Sequence, residues 1–119
     1  MANNENTSDK TGYVYDEIML LHKGPTDHPE CPARIKAIYT ALAPILERCV
    51  RVPSRQAFQE EVETIHPERY VKRITKIPKK MTERKMATFK FPNDEHTYAC
   101  RDSPAAALHA VGGSLDLTH

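Results

Sequence analysis

The sequence predicts an α/β fold, and three observations carry that reading. A short aromatic and β-branched run lies near the start, the apolar pattern switches to a helical period at residue 32, and a second short apolar run follows that helix. The order is therefore strand, helix, strand, then further helices, with no strand predicted after the last one.

Gly12-Tyr13-Val14-Tyr15 gives the first strand, because aromatic and β-branched side chains fit a pleated surface. Ile18 to Leu21 is apolar but runs into Lys23-Gly24-Pro25, which marks a loop. From Pro32, residues Ile35, Ile38, Leu42 and Ile45 fall at i, i+3, i+7 and i+10, one stripe of an amphipathic helix. Pro44 should kink or end that helix near Ala43, since proline lacks the N–H and crowds the preceding turn. Cys49 to Val52 is a second short strand, closed by Pro53.

Ser54 can then cap a helix with Phe58, Val62 and Ile65 inward. His66-Pro67 opens another helix, with proline at the tolerated first turn and Tyr70, Ile74 and Ile77 inward. Residues 78–97 are polar without a clear period and are expected to form a loop with at most one helical turn. Ser103-Pro104 starts a final helix carrying Leu108, Val111 and Leu115 on one side. Glycine inside a helix costs roughly 1 kcal/mol relative to alanine. Gly112-Gly113 therefore predicts close packing at that point.

Residues 1–11 are polar and lack any apolar period, so they are expected to be a disordered tail, with the folded part spanning 12–119. A chain of 119 residues suits one domain with a real core. The net charge of +1 gives no argument for a nucleic-acid or membrane partner. Cys31, Cys49 and Cys100 are odd in number and widely spaced, which fits reduced thiols of a nuclear or cytoplasmic protein. No apolar run approaches the ~20 residues that span a bilayer. Residues 71–90 contain eight Lys/Arg and one acid, Glu83, a local balance of +7. Such a run either serves as a nuclear-localisation or phosphate-binding patch, or is a solvated loop.

The stretch DHPECPARI (residues 27–35) concentrates chemistry. His28 and Cys31 have a spacing that can bind zinc, but a structural site needs four ligands and no second pair of this kind follows. Cys31 could be a nucleophile activated by His28 or by the helix N-terminus, yet no glycine-rich turn or oxyanion donor accompanies it. The favoured reading of these residues alone is a helix entry. Pro29 and Pro32 pin the backbone and Glu30 precedes the helix N-terminus.

Three ordered segments extend this picture. GYVYDEIMLLH (12–22) followed by DHPECPARI, then IHPERYVKRI (65–74), then DEHTYACRDSPAAALHAVGG (94–113), together resemble the amino-terminal part of the class II zinc-dependent histone deacetylases. The resemblance implies a three-layer arginase/deacetylase-type α/β fold with a parallel sheet, of which this chain is the amino-terminal portion. It implies hydrolysis of N-acetyl-lysine on histones or other proteins such as tubulin, by zinc-activated water assisted by histidine.

In that family the Ala/Gly helix is followed by an Arg-Pro-Pro-Gly-His-His stretch, then the zinc ligands and a catalytic tyrosine. Leu117-Thr118-His119 comes before all of these. The expectation is a chain that contains no catalytic or zinc-binding residue of the family, binds no zinc itself, and is inactive alone. The alternative is a non-catalytic deacetylase relative that acts as a protein-interaction module and self-associates or needs a partner. By the same resemblance, His28, Pro29 and Glu30 belong to the active-site rim. Arg34 lies beside an internal channel suited to departing acetate, or else pairs with a neighbouring acid. Asp94, with Glu95 and His96 as other candidates, lies in the loop that holds the substrate backbone.

Overall fold

A computed structural model describes residues 10–92 and 94–119; the expected disordered tail falls outside the described residues except for Lys10 and Thr11. The chain runs β1 (Gly12–Tyr13), a 3-10 turn (Glu17–Leu21), α1 (Pro32–Leu46) and β2 (Val50–Arg51). It continues with α2 (Gln59–Glu63), α3 (Glu68–Thr75), α4 (Ile77–Glu83), β3 (Phe89–Lys90), β4 (Tyr98–Ala99) and α5 (Ser103–Thr118).

β1 and β2 pair in parallel with Gly12 opposite Val50, and α1 makes the crossover between them. The Val50 N–H donates to the Thr11 carbonyl at 2.9 Å and the Val52 N–H to that of Tyr13 at 2.8 Å. Tyr15 stacks on Tyr39 of α1 at 3.9 Å between ring centroids, which ties the helix to the strand it left. This is the predicted βαβ start, with shorter strands: Val14, Tyr15, Cys49 and Val52 lie outside them.

α5 closes over this unit through its glycines. A Cβ on Gly112 would lie 2.0 Å from the Arg55 carbonyl oxygen, and one on Gly113 would lie 2.6 Å from Val14 Cγ1. The Ala57 N–H donates to the Leu108 carbonyl of α5 at 3.0 Å. The expected close packing is present, and the neighbour at Gly112 is backbone, which cannot swing aside. Arg55 then clamps the pieces together, with 2.8 and 2.9 Å bonds to Glu61 and 3.1 Å bonds to Asp116. The Arg55 guanidinium, with help from the Phe58 N–H, lowers the pKa of Glu61 to about 2.

The structure corrects several expectations. Pro44 does not end α1, which continues to Leu46. The proline sits within the last turn, its fixed φ is helical, and the Thr40 carbonyl it leaves unbonded belongs to an exposed residue. The Ile38, Leu42 and Ile45 stripe is 41–50% exposed, because no described element covers it. Ser54 does not cap a helix; α2 starts at Gln59, where the Glu61 carboxylate accepts the Phe58 N–H at 2.8 Å. Phe58 and Ile65, expected inward, are 63% and 81% exposed.

The stretch 78–97, expected as loop, instead supplies much of the core. α4 and the antiparallel β3–β4 hairpin, with Phe89 opposite Ala99, bring Ile77, Met81, Phe89 and Ala99 into one buried cluster. Ile74, Met86 and Phe91 pack around it.

Two outcomes follow from the α5 contacts. Gly112→Ala should destabilise the chain by ~1–3 kcal/mol through overpacking, against the ~1 kcal/mol that helix propensity alone would add. Chemical denaturation decides the sign. The carboxyl of Glu61 has a depressed folded pKa, so its contribution is present above the ordinary value of 4.5 and is lost as pH falls towards about 2. Glu61→Gln should therefore weaken the chain at pH 7 and flatten the acid limb of its stability profile between those values.

Candidate functional site

The candidate rim residues lie on two loops, 22–31 and 91–97, and Tyr98 joins them. Tyr98 is buried on β4, directly after the second loop. Its ring stacks on His22 and meets His28 edge-on, both at 4.8 Å between centroids. Gly24 lies flat against the same ring, where a Cβ would come within 2.4 Å. The Tyr98 hydroxyl donates to the Glu30 carbonyl, and burial raises its pKa, so the phenol stays protonated. Loop 22–31 is thus wrapped around one aromatic side chain.

His28 makes the second connection. Its Nδ1 accepts the Glu30 N–H at 3.0 Å, so Nε2 carries the proton and donates to the His96 carbonyl at 3.0 Å. Asp27, just before it, turns the chain at φ 67°. Asparagine and aspartate tolerate that left-handed conformation better than most residues.

Asp94 shapes the other loop. Its Oδ1 accepts the N–H groups of His96 and Thr97 at 3.0 Å, and its Oδ2 accepts the Thr97 hydroxyl at 2.5 Å. These bonds, the Thr97 hydroxyl first, hold its pKa below the usual carboxylate value. Asp94 is exposed and ionised at neutral pH, with acceptor capacity left for a donor from outside.

His22 stabilises the base of this arrangement. Its Nδ1 is 2.6 Å from Ser103 Oγ, at the start of α5. Burial lowers the His22 pKa, which favours a neutral ring accepting the serine proton. Ser103 Oγ in turn accepts the Cys100 N–H at 2.8 Å. Cys100 Sγ donates to the Leu21 carbonyl at 3.1 Å and accepts the Lys23 N–H at 3.4 Å. The loop, β4 and α5 are one hydrogen-bonded unit.

His28, Pro29, Glu30 and the Asp94 loop are therefore brought together. Arg34 stands at their edge, one turn away from Glu30, at 3.9 Å from its carboxylate with both side chains largely exposed. Such a pair contributes little. Tyr98, His22 and Ser103 were given no site role from the sequence, although Asp94-x-x-Thr97 before an aromatic is a side-chain-capped turn that points to an anchored loop.

Among the described residues no three His, Cys, Asp or Glu side chains are grouped to hold a metal. Both His28 nitrogens are engaged, so His28 with Cys31 does not fit a zinc ion, and His28 is no free base for Cys31. Beneath the rim lies an apolar cavity of about 760 Å³, lined by Met19, His22, Val62, Ile74, Tyr98 and Val111 among others.

Tyr98→Phe removes the hydroxyl but keeps the ring. It should speed amide exchange in residues 24–31 while leaving the β3–β4 core protected. Unchanged exchange would show that the stacked rings alone hold the loop.

The histone deacetylase domain family matches residues 28–119, more than half of the chain. The chain is similar to Histone deacetylase 5 of Arabidopsis thaliana, at 35% identity over 66% of this chain and 12% of that protein. It is also similar to Polyamine deacetylase HDAC10 of Danio rerio, at 33% identity over 87% of this chain and 16% of that one. Its fold superposes on the crystal structure of the HDA15 HD domain with a TM-score of 0.75 and 28% identity, covering 90% of this chain and 30% of that domain's chain. The chain thus spans less than a fifth of the length of these two curated relatives. The matched domain and the partial α/β deacetylase fold have one common explanation: this chain belongs to the histone deacetylase family.

Proposed function

We propose that this chain supplies part of the active-site rim of a class II, zinc-dependent lysine deacetylase acting on acetylated histones or other acetyl-lysine proteins in the nucleus or cytoplasm. The observation that supports this most is the meeting of the His28 and Asp94 loops around Tyr98 in a member of the histone deacetylase family. In this reading His28, Pro29 and Glu30 shape one wall of the opening. The Asp94 carboxylate, already ionised, accepts a backbone N–H of the substrate on either side of the acetyl-lysine. Arg34 offers its guanidinium fork to the departing acetate. The family's metal supplies the activated water, and its ligands are side chains other than those described above.

A second reading is a protein-interaction module without catalysis. It draws on the 760 Å³ apolar cavity and on Ile65 and Val111, which are 81% and 40% exposed. Contiguous apolar surface of that kind marks an interaction site or a self-associating face.

Two measurements test these readings. Purified residues 1–119 should not hydrolyse acetyl-lysine peptides with or without added zinc, as both readings require; turnover that a chelator abolishes would place the metal ligands in this chain and overturn both. In a complete deacetylase protein carrying this chain, Arg34→Ala should lower kcat by about tenfold or more, the loss of ~1.4 kcal/mol of transition-state stabilisation. Its melting temperature should hold. An unchanged rate with a large loss of melting temperature would make Arg34 structural.

A further inference from the structure

We propose that the exposed basic face of α3, Lys76 and α4 docks on the phosphate backbone of a nucleic-acid duplex. The inference stands apart from the deacetylase reading, because none of its cations is among the candidate rim residues.

α3 and α4 follow one another through Lys76, the last residue of one helix turn and the first of the next. Their inward side is Val71, Ile77 and Met81, all buried, with Ile74 half-buried. On the helical wheel, Arg69, Lys72, Arg73 and Lys76 fall opposite Val71, and Lys79 falls opposite Ile77. All five are exposed, as are Arg84, Lys85 and Lys90 beyond them. Lys72 is bonded to Glu68 at 2.6 Å, and Lys80 lies over the Phe89 ring. Arg69, Arg73, Lys76, Lys79, Arg84, Lys85 and Lys90 form no ion pair among the described residues.

The whole-chain charge hides this surface. Residues 71–90 carry +7, so the remaining 99 residues sum to −6 to give the total of +1. Core-forming residues of the same segment fix the cations in place, which a solvated loop would not do. One helical turn advances ~5.4 Å, so the α3 row presents successive cations at a spacing that suits a phosphate strand.

The composition of the face selects the partner. Protein interfaces are enriched in aromatic residues and depleted in lysine, whereas nucleic-acid interfaces are polar and strongly positive. Here all five outward residues are cations, three of them lysine, and no aromatic side chain lies on the outward row to anchor a protein or stack an unpaired base. Lys and Arg contacts to phosphates position a protein without reading bases, so the predicted binding is independent of sequence.

The test is fluorescence anisotropy of residues 1–119 with labelled 20-base-pair DNA and RNA duplexes of mixed sequence across 50–200 mM NaCl. Neutralising about five phosphates gives a slope of log K against log salt of about −4.5, or a loss of roughly 500-fold over that range. Arg69→Gln, Arg73→Gln, Lys76→Gln and Lys79→Gln combined should reduce the slope to about −1. Arg69→Lys with Arg73→Lys should retain it, and Lys36→Gln on α1 with Arg48→Gln in the turn after it should not change it. A preference between DNA and RNA would identify which duplex supplies the phosphates. Absence of binding at 50 mM salt, or a slope that survives the fourfold neutralisation, would overturn the proposal. Equal binding of polyglutamate would instead assign the face to an acidic protein segment and overturn it too.

Discussion

The approach of α5 to the backbone of residues 54–57 governs the rest of the molecule. Gly112 allows it, because the Arg55 carbonyl occupies the space where any side chain would begin. Once α5 is seated there, Ser54 reaches both Asp16 and His109. The serine proton goes to Asp16, so the 3.0 Å contact to His109 requires a proton on its Nδ1. Asp16, whose pKa these bonds lower, also caps the 3-10 turn through the Ile18 N–H at 2.9 Å. The first turn of the same helix delivers Ser103 to His22. One helix position therefore fixes both the parallel strand pair and the base of the rim.

α3 divides two environments along its length. Val71 and Ile74 face the apolar side and line the cavity under the rim, while Arg69 and Arg73 face water. Charge and apolar area are kept apart by half a helical turn, so neither face compromises the other. The rim works differently. The His28 and Tyr98 contacts are neutral hydrogen bonds to backbone carbonyls, while the Asp94 carboxylate accepts three donors of its own loop and keeps capacity for another.

Much of this was legible in the residues. The βαβ start, the last helix and the demand for bare glycine at 112–113 follow from period, caps and helix propensity. The family followed from three ordered segments. The β3–β4 hairpin did not, because strands of two residues carry no alternation to detect and Met81, Met86, Phe89 and Phe91 share no single period. Ser54 misled for a related reason: a hydroxyl that would cap a local helix is claimed by Asp16 and His109, 38 and 55 positions away. The His28 and Asp94 loops could be singled out from the motif, but that they meet on Tyr98 is a tertiary fact.

The turn at Asp27 limits how this rim can change by substitution. A left-handed residue that is not glycine is tolerated mainly in asparagine and aspartate, and costs most others about 1–2 kcal/mol. Replacement by valine or isoleucine would push the backbone towards extended geometry, swinging His28 away from the His96 carbonyl without touching either side chain. Position 27 thus favours Asp, Asn and Gly, with Lys85 at φ 51° the other non-glycine residue in this conformation among the described residues.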